Sequence, residues 1–201
     1  MSAHEAGAPD DAQSRQALRR ELRQRRNAAS PSERMAAAEA VASAVRAHSR
    51  FPGAGYVAGY WAMHGEVPLH LLQMRLGEGL VWCLPCIQPD DSLLFGPWRP
   101  GDPLVSNRFG IPEPELSMES LLPASKMALI VLPLLGYTRA GDRLGMGGGF
   151  YDRSLGFRRN TPAPPWLVGA GYAFQELPAL VHQPWDVRLD AIATEHGVFD
   201  A

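Results

Sequence analysis

The residues best suited to chemistry lie in a glycine-rich stretch near position 147 of this 201-residue chain. Residues 132–153 read LPLLGYTRAGDRLGMGGGFYDR, and four of the five positions from 145 to 149 are glycine. Glycine tolerates positive φ and lets a ligand approach the backbone closely. Successive main-chain N–H groups can then line a concave site that binds an anion. We therefore expect an anion site at residues 145–149, strengthened by a helix that starts near Gly149.

Charged residues flank this loop in a way that suits phosphate. Arg143 and Arg153 lie on either side of the glycines, where their guanidinium groups can contact phosphate oxygens. Asp152 is a hard oxygen ligand at the same place, where Mg²⁺ would bridge the protein and a nucleotide. The common nucleotide motifs do not match, because the P-loop lysine is absent and Phe150 replaces the third glycine of the dinucleotide pattern. A glycine-rich turn without a ligand stays an open alternative.

A second basic feature lies near the N-terminus. Arg15, Arg19, Arg23 and Arg26 follow one another at spacings of four, four and three residues. These spacings place the four side chains on one face of a helix. We expect Arg15 and Arg19 to bind a ligand, whereas for Arg23 and Arg26 we favour a solvated basic face, because runs of charge are commonly exposed.

Hydrophobic patterning indicates the elements that position these groups. Helices are predicted over 14–28, from Pro31 to about 48, over 68–76 and over 149–157, and strands over 56–61, 79–84, 92–98, 127–132, 166–172 and 189–194. The run MALIVL at 127–132 is typical of a strand buried on both faces. Residues 99–124 are rich in proline and are predicted to be mostly loop. Strands that alternate with helices predict a single α/β domain with a mixed, largely parallel sheet flanked by helices.

Composition favours an ordinary globular protein. The chain is 46% hydrophobic and 20% charged with a formal net charge of −2, so no nucleic-acid partner is expected. It has no apolar run of about 18 residues and no secretory signal, so we expect no membrane association. Two cysteines fit a reducing cytoplasm. We expect residues 1–13 to be a disordered N-terminal lead and residues 14–201 to form the domain.

The glycine loop resembles the signature of a known enzyme family. The segment RLGMGGGFYDR, with Pro133 upstream, is similar to the signature of the 5-formyltetrahydrofolate cyclo-ligases. Weaker similarities follow in the family's order: Arg15-x-x-Leu18-Arg19, Tyr60-Trp61 with Gly65-Glu66-Val67, residues 109–114, and Asp186 with Asp190 and Thr194-Glu195. They span residues 15–198 or so, and the glycine loop is the specific match among them.

This resemblance implies a fold and a reaction. Members of the family have a fold similar to the sugar-isomerase and CoA-transferase group, and they convert 5-formyltetrahydrofolate and ATP to 5,10-methenyltetrahydrofolate, ADP and phosphate. The formyl oxygen attacks the γ-phosphate to give an N5-iminium phosphate, after which N10 attacks the formyl carbon and phosphate leaves. The resemblance therefore implies a ligase of one-carbon metabolism that uses ATP as co-substrate and Mg²⁺ as cofactor. We also expect a cytoplasmic monomer whose partners are small molecules.

The resemblance also assigns roles to residues. It implies that Arg143, Tyr151 and Asp152 are catalytic and that Asp152 and Asp186 bind the metal. The implied nucleotide contacts are Arg15, Arg19, Arg143, Leu144, Gly145, Met146, Gly147, Gly148, Gly149, Phe150 and Tyr151. The implied folate contacts are Trp61, Glu66, Phe109, Met146, Gly147, Gly148, Gly149 and Phe150. Three positions differ from residues found in the family: Arg15 stands in place of the usual lysine, Gly148 in place of a lysine that some members have, and Phe109 in place of a frequent tryptophan.

Other hypotheses stay open beside this one. One is a non-catalytic relative that binds nucleotide or RNA, although Arg143, Asp152 and the loop glycines are all retained. Another is an ATP-dependent ligase or kinase that acts on a different substrate. Cys83 and Cys86 lie in a Trp-Cys-Leu-Pro-Cys segment that resembles the thioredoxin motif, but no helix is predicted at the first cysteine, so a redox role is disfavoured.

Overall fold

A computed structural model describes residues 12–201 of the chain. The predicted disordered lead over residues 1–13 lies outside the described residues, except that residues 12 and 13 belong to the first helix. The described part is built around a seven-stranded sheet with helices on both faces. None of the helices in this part is long and apolar enough to cross a lipid bilayer.

The central sheet has the mixed, largely parallel character that the sequence predicts. The strands in chain order are β1 (Gly55–Ala58), β2 (Leu80–Ile87), β3 (Leu93–Pro97), β4 (Leu104–Ser106), β5 (Pro112–Pro114), β6 (Met127–Pro133), β7 (Gly136–Tyr137), β8 (Arg143–Leu144), β9 (Trp166–Ala170), β10 (Ala191–Thr194) and β11 (Gly197–Asp200). The sheet order is β11-β10-β9-β6-β1-β2-β3. Neighbours from β10 to β2 pair in parallel, and antiparallel β11 and β3 form the edges. The predicted single α/β domain is confirmed.

Two long helices precede the first strand. Helix α1 spans Ala12–Ala28 and helix α2 spans Pro31–Ala47. A capping box starts α2, because the Ser30 hydroxyl accepts from the Glu33 amide at 3.2 Å and the Glu33 carboxylate accepts from the Ser30 amide at 2.7 Å. Two short helices follow, α3 (His70–Met74) and α4 (Phe150–Ser154).

The central strand β6 contributes to both layers of the core. Leu129 and Val131 lie in the apolar cluster that includes α2, whereas Ile130 and Leu132 lie in the cluster that includes Leu155 after α4. All five side chains are fully buried. Because successive side chains of a strand point to opposite faces, one continuous apolar run supplies two layers. Each such burial stabilises the fold by about 1.5–3 kcal/mol.

The structure adds elements that hydrophobic patterning missed. Residues 99–124, predicted to be mostly loop, contain the hairpin of β4 and β5, whose three-residue strands are too short to show an alternating pattern. The glycine-rich segment contains a second hairpin, β7–β8. The predicted helix over 149–157 is shorter than expected, because α4 ends at Ser154 and a 3₁₀ segment follows over Gly156–Arg159.

Replacing the cap of α2 tests whether the capping box stabilises the fold. Ser30→Ala should lower the free energy of unfolding by about 1 kcal/mol, because the Glu33 amide loses its acceptor. Urea denaturation measures the change, and Ser49→Ala, at an exposed position after the helix, serves as the control. Equal stability of the two variants would contradict a stabilising cap.

Candidate functional site

A cleft opens at the carboxyl ends of the adjacent parallel strands β1 and β6, where open α/β sheets bind ligands. Its volume is about 710 Å³. Its walls come from α1, the turn after β1, the loop between β4 and β5, and the chain from the end of β6 into α4. The residues that the family resemblance assigns to the site all line this cleft, including Asp186, which is distant in sequence from the rest. Arg153, which flanks the glycines in the sequence and was expected to contact phosphate, does not line it.

The backbone amides and carbonyls of the glycine loop differ in their hydrogen bonding within the described chain. Among the residues that the structure describes, none accepts a hydrogen bond from the amides of residues 145–149. The Gly145 carbonyl accepts from Arg19 Nε at 3.0 Å, and the Gly148 carbonyl accepts from the Arg153 guanidinium. Gly147 has a φ of +98°, which a side chain would strain. The loop therefore meets the geometric condition of an anion site, which is a set of amides without protein partners.

Guanidinium groups from two elements surround the loop. Arg15 and Arg19 enter the cleft from α1, and Arg143 enters it from β8 with a side chain that is almost fully buried. Burial lowers the pKa of Arg19, and the positive charge of Arg15 lowers it further. The Arg143 Nε is buried without a partner in the described part of the chain. A bound anion would relieve the repulsion and supply acceptors. Arg23 is exposed, as predicted.

Asp152 and Asp186 meet beside the loop. The Val187 amide donates to Asp152 Oδ1 at 3.2 Å, so the two acidic segments are in contact. Asp152 also pairs with Arg143, and Asp186 lies 3.7 Å from Arg15. No group of three or more His, Cys, Asp or Glu residues in the described chain could hold a metal by itself. Two carboxylates nevertheless suit Mg²⁺, because this ion keeps several waters and takes substrate phosphate oxygens as further ligands.

Two aromatic pairs border the cleft. Trp61 is 37% exposed and packs edge-on against Trp98, with ring centroids 5.9 Å apart. Phe109 is 54% exposed and packs edge-on against Phe150, with ring centroids 5.8 Å apart. Large apolar side chains left open in a concave site indicate a ligand surface. The expected contacts Trp61 and Phe109 are therefore placed to pack against a flat ligand.

Glu66 is held in a tight turn after β1. His64 and Gly65 have φ values of +48° and +78°, and the Glu66 amide donates back to the Met63 carbonyl at 3.0 Å. Positive φ is costly at a non-glycine residue such as His64. The Glu66 carboxylate accepts from the Met63 amide at 2.9 Å and from Arg26 Nη1 at 3.4 Å. Burial raises the pKa of Glu66 above its ordinary value, and these two contacts oppose the rise.

The prediction that Arg26 lies on a solvated face is wrong. Its side chain is 1% exposed, Nε donates to the His64 carbonyl at 3.0 Å, and Nη1 donates to the Leu134 carbonyl at 3.3 Å. With its contact to Glu66, Arg26 connects α1 to two segments that frame the cleft. The spacing in the sequence indicates this burial. Arg26 lies four residues after Leu22 and therefore on the same face of α1, and the structure buries Leu22.

Tyr151 follows the glycine loop in α4 and lines the same cleft as Glu66. Burial raises the pKa of Tyr151 well above its usual range, and the nearby charge of Glu66 raises it further. The phenol is therefore a neutral donor at physiological pH. Within the described residues its hydroxyl forms no hydrogen bond, so it is free to donate to a ligand.

Gln175 supports the site and was not predicted. It is fully buried, and its Nε2 donates to the carbonyls of Leu134 at 3.0 Å and Leu135 at 2.8 Å. Its Oε1 accepts from the Tyr172 amide at 2.7 Å. These bonds fix the chain between β6 and the β7–β8 hairpin. A single buried glutamine leaves no periodic or motif signal, so pattern analysis could not find it.

Two other features of the sequence are structural. Asp190 accepts two bonds from Arg158 Nη2 at 2.8 Å and one from the Leu167 amide at 2.8 Å, which joins it to β9. Cys83 and Cys86 are buried on β2, and their odd spacing points them to opposite faces of the sheet. Burial raises the pKa of both thiols to about 12. Neither supplies a thiolate at neutral pH, which argues against the thioredoxin-like redox role.

Fold and cleft together define an α/β protein in which one cleft joins a glycine loop and guanidinium groups to exposed aromatic side chains. The same architecture is found in known proteins. The model of the 5-formyltetrahydrofolate cyclo-ligase family matches residues 11–195. The chain belongs to this family, as the resemblance of the glycine loop implied.

Individual relatives agree with this assignment. The 5-formyltetrahydrofolate cyclo-ligase of Escherichia coli K12 is 32% identical over 182 residues, which cover 89% of this chain and 99% of that protein. The Haemophilus influenzae cyclo-ligase is 36% identical over 136 residues, which cover 66% of this chain and 72% of that protein. The solved 5,10-methenyltetrahydrofolate synthetase of Aquifex aeolicus has a TM-score of 0.77 and 26% identity, covering 92% of each chain. The Mycoplasma pneumoniae synthetase, at 22% identity, shares the fold with a TM-score of 0.68, covering 90% of this chain and 98% of that one.

A matched pair of glycine variants tests the anion site. Gly147→Val should weaken MgADP binding by more than about tenfold, because a branched side chain at a φ of +98° distorts the loop and obstructs its amides. Gly101→Val is the control, since Gly101 has a φ of +101°, open space where a β-carbon would lie and no place in the cleft. Calorimetric titration with MgADP measures both. Normal affinity in Gly147→Val would contradict the anion site.

The raised pKa of Glu66 predicts a pH dependence of stability. The folded state binds this proton more tightly than the unfolded chain, so the stabilising contribution is complete below the unfolded value of 4.5 and is lost as pH rises through the raised folded value. Glu66→Gln does not titrate. The unfolding free energy of the wild type minus that of the variant should therefore decrease from mildly acidic to neutral pH. Urea denaturation across this range measures it, and a constant or rising difference would contradict the shift.

Proposed function

We propose that the chain catalyses the ATP-dependent cyclisation of 5-formyltetrahydrofolate to 5,10-methenyltetrahydrofolate. The observation that carries this proposal is that one cleft joins free loop amides and guanidinium groups to a buried carboxylate and exposed aromatic rings. The family of cyclo-ligases to which the chain belongs acts on such small molecules with ATP as co-substrate. The monomeric state and the cytoplasmic location expected from the sequence stay predictions.

The glycine loop is the proposed site of the triphosphate. Transfer of a phosphoryl group depends mainly on positioning and on neutralisation of charge. The amides of residues 145–149 supply donors that have no acceptor among residues 12–201, and Arg15, Arg19 and Arg143 supply positive charge. Arg15 and Arg143 both contact a carboxylate of the same region, so their side chains have defined positions before ATP arrives.

Asp152 and Asp186 are the residues proposed to hold Mg²⁺. When bound, this ion would neutralise charge on the phosphate oxygens and help to orient them. The Val187 amide and Arg143 both bond to Asp152, and the Gln183 amide donates to Asp186 Oδ2 at 3.0 Å. These contacts fix both carboxylates next to the loop, so little reorganisation is needed.

The proposed folate site lies where Trp61, Phe109 and Glu66 border the cleft. A pterin offers a flat face for stacking and adjacent N–H donors for a carboxylate, and Glu66 is held for that purpose by Arg26. Tyr151 lines the same cleft, and its hydroxyl is the proposed donor to the oxygen that joins formyl carbon and phosphorus once that bond has formed. The formyl oxygen attacks the γ-phosphorus while the bond from that phosphorus to the β,γ-bridging oxygen breaks, so ADP leaves and an N5-iminium phosphate forms. N10 then attacks the formyl carbon and loses its proton, and the bond from that carbon to the phosphate oxygen breaks, so phosphate leaves.

Turnover by the purified chain tests the proposal. With MgATP and 5-formyltetrahydrofolate we expect the methenyl product, followed by its absorbance, and one ADP for each product molecule. Binding of both ligands without product would support the non-catalytic relative. Hydrolysis of ATP that this folate does not stimulate would support a ligase or kinase for another substrate.

Asp152→Asn tests the metal assignment. The variant should require more Mg²⁺ for half-maximal rate and should lose about 10²-fold or more in turnover at saturating Mg²⁺, because a charged ligand and its ion pair with Arg143 are both removed. Titration of the rate with Mg²⁺ measures both effects. Asp200→Asn, at an exposed position on β11, is the control. A wild-type rate and Mg²⁺ dependence in Asp152→Asn would show that the assignment is wrong.

A further inference from the structure

Trp185 is an exposed aromatic side chain that the assigned roles do not use. Its residue is 61% exposed, yet it lines the cleft directly before Asp186. Trp61 and Phe109 are each supported by a second ring, whereas no ring contact joins Trp185 to another described residue. An indole left open at a concave ligand site indicates that the ligand itself covers it.

Helix α1 orders the contacts along the cleft. Arg15 lies 3.7 Å from Asp186, Arg26 lies 3.4 Å from Glu66, and Arg19 contacts the glycine loop between them. At 1.5 Å of rise per residue, Arg15 and Arg26 are about 16 Å apart along the helix axis. The cleft therefore has an Asp186 end and a Glu66 end, separated by the loop.

The chemistry of the proposed function fixes which part of ATP occupies each end. The γ-phosphate must face the formyl group, which lies at the Glu66 end. The purine is attached to the other end of the triphosphate, so it extends toward Asp186 and Trp185. The backbone there is anchored, because the Trp185 carbonyl accepts from Arg159 Nη1 at 2.9 Å. The exposed side chain of Val181, whose carbonyl is 3.4 Å from Arg15 Nη2, adds apolar surface nearby.

We propose that Trp185 is the platform on which the purine base of ATP stacks. This inference rests on the proposed function, since it takes the folate to occupy the Glu66 end. Every nucleobase has a π-face, so stacking on an aromatic ring contributes affinity with little selection between bases. Trp185 therefore strengthens nucleotide binding while the loop and the arginines hold the phosphates.

Binding of ADP and of inorganic tripolyphosphate to the full chain, each with Mg²⁺, separates base stacking from phosphate contacts. Trp185→Ala should weaken ADP binding about tenfold, the usual effect of losing one base stack, and should leave tripolyphosphate affinity unchanged, because that anion has no base. Trp185→Phe should keep most of the ADP affinity, and Trp185→Leu should not. Calorimetric titration measures all four proteins.

Each outcome of these titrations either supports or overturns the stacking role of Trp185. Unchanged ADP affinity in Trp185→Ala, or an equal loss for ADP and tripolyphosphate, would overturn the proposal, because the indole would then have no role or would only support the phosphate site. Trp61→Ala is the reciprocal comparison, and it should raise the KM for the folate without weakening ADP binding. Since ADP binding needs no turnover, the stacking site could be verified even if cyclisation of 5-formyltetrahydrofolate failed.

Discussion

The buried pair of Arg26 and Glu66 is the interaction on which the geometry of the cleft depends. Removing two charges from water costs several kcal/mol for each ion, and a single contact at 3.4 Å does not offset that cost. Further bonds compensate in part, from Arg26 to the carbonyls of His64 and Leu134 and from the Met63 amide to Glu66. Such a pair adds little stability, but it defines where α1 crosses the cleft.

Other features that cost folding free energy lie at the same cleft. His64 has positive φ, and Arg26 Nη2 and Arg143 Nε are buried without partners in the described chain. Three further buried polar atoms without partners in the described chain lie away from the cleft, and two of them belong to the core: Gln73 Nε2, Tyr137 Oη and Trp166 Nε1. Local strain and unsatisfied groups persist where a function requires them and the surrounding fold is stable enough to hold them. At the cleft the atoms without partners belong to charged guanidinium groups, which a bound anion can satisfy, whereas the other three belong to neutral side chains.

How much the sequence predicts depends on how local each signal is. The run at 127–132 and the glycine loop were predictable, because burial on both faces and freedom of φ are properties of neighbouring residues. The roles of Arg26 and Gln175 were not, since both act through carbonyls that only the tertiary fold brings near them. Only the family resemblance predicted that Asp186 lies near Asp152. The bond that joins the two segments is donated to Asp152 by the backbone amide of Val187, and a backbone amide leaves no signal in the sequence.

Helix α1 relates the two parts of the cleft through its own geometry. Each residue of an α-helix advances 1.5 Å and turns about 100°, so the contacts of Arg15, Arg19 and Arg26 can form together only on one continuous helix. That helix contacts Asp186 near its start, the glycine loop one turn later and Glu66 near its end. The spacing of arginines in the sequence thus sets the spacing of the anion site and the carboxylate. A reaction between two bound ligands requires such a fixed separation, because misplacement by about 1 Å costs roughly 10²-fold in rate.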